Sequence, residues 1–232
     1  MPQGEEFNVA SGPTIKPPAT THDPHEVIAR YHLRPLLPAA IVKAIDSARE
    51  FHVQSDSLRK QFVLLSNEDA LRAAAAAAEK RGYRVEIARD ISDQPVTGGC
   101  RQLIKRLGEV RAQDGAPVCL ISGGEFSCPV NGDGIGGRNL ETALRLAMLH
   151  ADTNEQSPFV AVCAGTDGID GNSVAAGAIV DSTTIERAQL LGLNPQEFLD
   201  RSDAFSFFDA LGDAIITGPT GTNVRDLRIL LT

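Results

Sequence analysis

With 232 residues and 42% hydrophobic side chains, the chain is long enough to bury a core in one large or two small domains, as an ordinary α/β protein does. Its net charge of −8 is unevenly spread: residues 1–115 carry 16 basic and 15 acidic side chains, residues 116–232 carry 6 and 15. The absence of a basic stripe argues against nucleic acid and anionic membrane surfaces, and no run reaches the roughly 18 apolar residues of a membrane span. Cys100, Cys119, Cys128 and Cys163 show no C-x-x-C spacing and no signal peptide is recognisable, so reduced thiols in a cytoplasmic protein are expected.

Residues 1–25 are rich in Pro, Thr and acidic side chains, with Ala10–Thr14 as the one ordered-looking piece. His22 and His25 have H-x-x-H spacing, but Asp23-Pro24 between them favours a solvated turn over a metal site. Short helices are expected around Glu26–His32 and Ala39–Glu50, and a polar connection over 51–60. Phe62–Leu65 reads as a buried strand, Ser66-Asn67 as turn and cap, and Glu68–Arg81 as a helix closed by Gly82. A strand at Tyr83–Ala88, a loop, and a helix at Gly99–Val110 complete an alternating pattern that implies a parallel sheet with right-handed crossovers. Ligands gather beyond the carboxyl ends of such strands, so Ser66 and Asn67 either cap the helix or touch a ligand.

Val118–Ile121 is the next strand, ending at Ser122-Gly123-Gly124-Glu125, with Phe126–Val130 as a short antiparallel return. The run from Gly132 to Asn139 then concentrates unhindered backbone and one guanidinium ahead of a helix, on which Leu140, Ala143, Leu144, Ala147 and Met148 form one face. Such a helix head favours an anion. All five lysines lie at or before Lys105, so an anion held here relies on Arg138, backbone amides or a divalent cation. Phe159–Cys163 is a continuous apolar strand running into Gly165-Thr166-Asp167-Gly168-Ile169-Asp170-Gly171, whose carboxylates point to a cation or a cation-bearing ligand. A strand at Ala175–Asp181, helices at Thr183–Leu191 and Pro195–Arg201, and core phenylalanines at 205, 207 and 208 follow. Ala214–Thr217 is a strand before Gly218–Val224 and a terminal Arg225–Leu231 segment.

Gly132–Gly137 formally satisfies G-x-G-x-x-G, but Pro129 stands where a dinucleotide fold needs a central strand and Asp167 comes too late for the ribose acid. No G-K-[ST] ending marks a P-loop.

Taken together and in order, Ser122–Glu125, Gly136–Asn139, Gly165–Gly171 and Thr217–Val224 resemble the MOFRL domain of the glycerate 2-kinase family. Ala10–Thr14 and Ser66-Asn67 resemble the latter part of the same family's amino-terminal domain. The resemblance implies a three-layer α/β/α fold. Residues 1–112 would form the remainder of a partial Rossmann-like parallel sheet, and residues 113–232 a second α/β domain with a mixed sheet. It implies transfer of the ATP γ-phosphoryl, with Mg²⁺, to the 2-hydroxyl of D-glycerate or a related hydroxy acid. The family's functional arginine matches Arg138. The family's lysine-bearing G-x-G-K-A segment has no counterpart in residues 1–60, so an incomplete or split form is expected, with a separate amino-terminal half or a homo-oligomer as the partner assembly. An NAD(P)-dependent hydroxypyruvate reductase and a non-catalytic remnant are the alternatives.

On that reading Arg138 clamps a carboxylate or the phosphoryl group, joined by the amides of Gly134, Gly136 and Gly137, and Asp167, less surely Asp170 or Glu125, holds the metal. Ser66, Asn67, Ser122, Gly123, Gly124, Asn139, Thr166, Thr220, Gly221, Thr222 and Asn223 are candidates for nucleotide or substrate contacts. Arg138 could instead pair with Glu141, Asp167 could cap a turn, and Thr222 and Asn223 could cap the terminal segment.

Overall fold

The computed structural model describes residues 23–47, 62–113, 116–153 and 157–232. Two compact units divide the chain, residues 3–64 and residues 65–232. Ala10–Thr14, His22 and the connection at 51–60 lie outside the described residues.

In the first unit, α1 (Pro24–Arg30) starts where the Asp23 carboxylate accepts from the His25 amide, with Pro24 at the position where no N–H is needed. A 3-10 turn (Arg34–Leu36) and α2 (Ala39–Asp46) follow, and Arg34 donates to both oxygens of Asp46 at 3.1 and 2.6 Å. The strand expected at Phe62–Leu65 does not form: the segment has no strand pairing and Leu64 is 89% exposed. An apolar run becomes a strand only when neighbours supply its ladder of hydrogen bonds, and no described residue does so here.

The second unit is built on one six-stranded sheet, β1 (Arg84–Ile87), β2 (Val118–Gly124), β3 (Val160–Gly165), β4 (Gly177–Asp181), β5 (Ala214–Ile215) and β6 (Asp226–Leu231), in the order β1-β2-β6-β3-β4-β5. β1 and β2 are parallel, joined across α4 (Val96–Arg111), as the strand and helix alternation requires. Every other pairing is antiparallel. β1 and β2 pair in register from Arg84 with Val118 to Ile87 with Ile121.

The terminal segment, which carried no strand expectation, becomes the strand that lies between β2 and β3. Its alternation decides which side chain goes where. Leu227, Ile229 and Leu231 meet Leu71, Ala75 and Ala78 of α3 (Asn67–Glu79) on one face. Leu230 joins the larger core on the other. That core packs α4 and α5 (Arg138–Asp152) together with α6 (Thr184–Leu190), α7 (Pro195–Asp200) and α8 (Ala204–Leu211), giving three layers, helix on sheet on helix. Phe207 and Phe208 are fully buried and meet edge to face with ring centroids 5.2 Å apart. The return strand expected at Phe126–Val130 is reduced to a bridge between Ser127 and Pro95, because Pro129 has no N–H to extend a ladder.

Leu230, fully buried in the middle strand, gives a direct check: Leu230→Ala is expected to lower unfolding stability by about 2–5 kcal/mol in a denaturant titration.

Candidate active site

The carboxyl ends of β2 and β3 and the start of β6 come together where Asp226 stands opposite Gly124 on one side and Gly165 on the other. Directly opposed residues of antiparallel strands project to the same face, so Asp226 is flanked by two positions without side chains. The guanidinium of Arg138, the first residue of α5, reaches it: Nε donates to Asp226 Oδ2 at 2.6 Å and Nη2 to Oδ1 at 3.3 Å. Asp226 is 2% exposed, whereas the Arg138 side chain keeps 38% of its surface. Burial pulls the arginine's pKa down, but the bond to Asp226 and the charges of Asp226, Glu125 and Asp170 outweigh it and set it above its ordinary value.

Glu125 stands beside this pair, its Oε1 3.2 Å from Arg138 Nη2 and 3.8 Å from Arg225 Nε. Arg225, in the left-handed region at φ 73°, also bonds the carboxylate of Asp93. Glu141, the alternative partner for Arg138 on its own helix, is taken by Arg145 at 2.7 Å and by the Cys128 thiol, which donates to it at 3.0 Å.

The head of α5 is organised differently from the sequence expectation of an amide nest open to an anion. Asp170 already supplies the negative charge. Its Oδ1 accepts from the Asn139 amide and from Asn139 Nδ2, both at 3.1 Å, and its Oδ2 accepts from the Leu140 amide at 2.8 Å. The two backbone amides are orphan donors of the first helical turn. The Gly134 amide donates to the Arg201 carbonyl at 3.0 Å and the Gly136 amide to Asn172 Oδ1 at 2.8 Å. A side chain at Gly137 would place its Cβ 2.5 Å from Asp170 Oδ2, so glycine there is a matter of space, since its φ of −169° suits any residue. Burial raises the Asp170 pKa to about 6 against the downward pull of those hydrogen bonds.

The other loops bind each other. Thr166 Oγ1 donates to the Arg225 carbonyl at 2.7 Å and accepts from the Val224 amide at 2.8 Å, while Thr220 Oγ1 reaches the carbonyls of Thr166 and Thr222. Gly221 turns this loop at φ 73°. Asn223 accepts from the Arg225 amide and lies 3.4 Å from Asp167 Oδ2 through its Nδ2. Asp167 Oδ1 accepts from the Ile169 amide at 3.2 Å, as a turn cap does.

Asn67 is a strut: its Nδ2 donates to the carbonyls of Val224 and Asp226 and its Oδ1 accepts from the Gly124 amide, an approach that a side chain at Gly123 would block at 1.9 Å. Ser66 caps α3, its amide and hydroxyl both donating to Asp69. Ser122 is buried, donating to the Ile91 carbonyl at 2.5 Å and accepting from Arg228 Nε at 3.1 Å. Arg228 itself is 1% exposed and lies 3.7 Å from the centroid of Phe126, whose ring it covers as a cation over a π face.

A cleft of about 660 Å³ opens at the head of α5. Of the residues singled out from the sequence, Gly134, Gly136, Gly137, Arg138, Asp167 and Asp170 line it; Ser66, Asn67, Ser122, Gly123, Gly124, Glu125, Asn139, Thr166, Thr220, Gly221, Thr222 and Asn223 do not. Asp226, Arg225, Arg228 and Asn172 were missed. Asp226 and Arg228 alternate with apolar residues along the terminal segment, the one pattern that could have marked them. Among the described residues no three His, Cys, Asp or Glu side chains are grouped to hold a metal, and no helix is long and apolar enough to cross a membrane.

Two measurements check this geometry. Gly137→Ala is expected to displace Asp170 and cost about 1–2 kcal/mol, the worth of a helix cap. The folded-state pKa of Asp170 lies above the unfolded value, so the folded chain binds the extra proton between about pH 4 and 6 and this group's contribution grows as pH falls through that window. Denaturation from pH 7 to 4 should therefore show wild type gaining about 2 kcal/mol relative to Asp170→Asn.

Residues 118–226 match the MOFRL family. The D-glycerate 2-kinase of Thermotoga maritima is 33% identical over 226 residues, covering 95% of this chain and 52% of that one. A crystal structure of the T. maritima glycerate kinase superposes with a TM-score of 0.80 at 31% identity, covering 97% of this chain and 53% of that chain. The chain thus spans about half the length of these T. maritima relatives. The glycerate kinase of Macaca fascicularis is 31% identical over 268 residues, 96% of this chain and 67% of the relative. With the four glycine-rich motifs gathered around one sheet end, the chain belongs to the glycerate 2-kinase family that carries the MOFRL domain.

Proposed function

We propose that this chain carries one side of the site of an ATP-dependent kinase that phosphorylates the 2-hydroxyl of D-glycerate. The observation that supports the reading is Arg138, a guanidinium set at the head of a helix beside an open cleft and anchored on a buried carboxylate. A cation is unfavourable at the positive end of a helix by a few tenths of a kcal/mol to about 1 kcal/mol, so this arginine does not serve the helix. Phosphoryl transfer asks a protein chiefly for positioning and charge neutralisation, and an arginine fork meets phosphate or carboxylate oxygens in pairs.

Arg138 is the one cation that lines the cleft among the described residues, and no lysine follows Lys105. Further positive charge would come from Mg²⁺ and from the amino-terminal, lysine-bearing part that the family resemblance implies. Asp167 suits Mg²⁺: it lines the cleft, is incompletely buried, and has one oxygen whose contact within the protein is a long 3.4 Å approach from Asn223. Magnesium is commonly held by one or two carboxylates together with substrate phosphates, and when bound it would neutralise charge on the transferring group. Asp170, its oxygens already facing three N–H donors, would set the helix and leave direct metal contact to Asp167.

The test is turnover with ATP, Mg²⁺ and D-glycerate, by the chain alone and by the chain mixed with the amino-terminal portion of the T. maritima relative. The expected products are ADP and 2-phosphoglycerate, with Arg138→Ala lowering kcat/KM about 100-fold or more and chelation of Mg²⁺ abolishing the reaction. Oxidation of NAD(P)H with hydroxypyruvate in place of phosphoryl transfer, or no turnover by a folded mixture, would overturn the reading.

A further inference from the structure

Arg138 carries donors on two edges of its guanidinium, and the edge made by Nε and Nη2 is taken by Asp226 at 2.6 and 3.3 Å. Among the described residues Nη1 has no protein partner, and Arg138 is a wall of the cleft. We propose that Asp226 is a positioning residue: it fixes the guanidinium through one edge so that Nη1 is presented to the anionic group of the ligand in the cleft. The inference rests on the functional reading above for the ligand's charge, and on geometry alone for the tether.

The setting of Asp226 fits that role. As the first residue of a strand paired on both sides it cannot shift along the sheet, and its own carbonyl is held by Asn67 Nδ2 at 3.0 Å. Gly124 and Gly165, the residues opposite it, carry no side chain beside its carboxylate. At 2% exposure its carboxylate is shielded from water, so its attraction to the guanidinium is little screened. Glu125 differs on each count. It is a third exposed, it approaches through a single oxygen at 3.2 Å, and that same oxygen faces Arg225. It is the partner an incoming anion can replace, whereas Asp226 is the one that stays.

Side-chain Nε–H resonances of the full chain test this, with Arg138 assigned by the signal lost in Arg138→Lys. In wild type the Arg138 Nε–H is expected to exchange with water at least tenfold more slowly than those of exposed arginines. Asp226→Asn should lose that protection and Glu125→Gln should keep it. Titration with inorganic phosphate should shift the wild-type signal saturably, and Asp226→Asn, with circular dichroism unchanged, should bind phosphate at least tenfold more weakly. A rapidly exchanging Nε–H in wild type overturns the tether without recourse to any variant, as does a folded Asp226→Asn chain that binds phosphate as tightly as wild type. A protected Nε–H with no response to phosphate upholds the tether and refutes the anion-binding role given to Arg138, so the two readings fail separately.

Discussion

A guanidinium at the positive end of a helix is unfavourable unless carboxylate charge offsets it, and here Asp226 does so from the start of the strand that runs through the middle of the sheet. Much of the local architecture follows from that contact. The strand lies between β2 and β3, which brings Asp226 to the head of α5, and α5 begins at Arg138. Asp170 completes the charge balance by meeting the amides of the same helical turn. One helix head is thus held by two buried carboxylates, one on its backbone and one on its first side chain.

The glycines of this region accordingly act in a different way from a phosphate nest. Gly134 and Gly136 donate within the protein, and Gly137 and Gly123 make room for Asp170 and Asn67. What remains open towards the cleft is the far edge of the arginine and the partly exposed Asp167. The hydroxyls and amides of the Thr166 and Thr220 loops are engaged in holding these loops to each other, which sets Asp167 in place. The buried thiols stand apart from the chemistry: burial raises the Cys100 pKa to about 12 and that of Cys119 to about 11, which keeps both protonated.

The sequence by itself determined those features whose causes are local. Amphipathic spacing placed α5, the next two helices were legible between Thr183 and Arg201 while α8 showed only as core phenylalanines, the apolar runs at Val118 and Phe159 placed two interior strands, and the four glycine-rich motifs identified the family and pointed to Arg138 and Asp167. Only the tertiary structure decided the partners. Phe62–Leu65 has the composition of a strand and no neighbour to pair with among the described residues, while Asp226–Leu231 gains strand form from two neighbours far off in the chain. Asp226 meets Arg138 across 88 residues and Arg228 meets Ser122 across 106. Such pairs are set by sheet register and strand order, which depend on how distant backbone segments hydrogen-bond to one another, and no local spacing of residues encodes that choice.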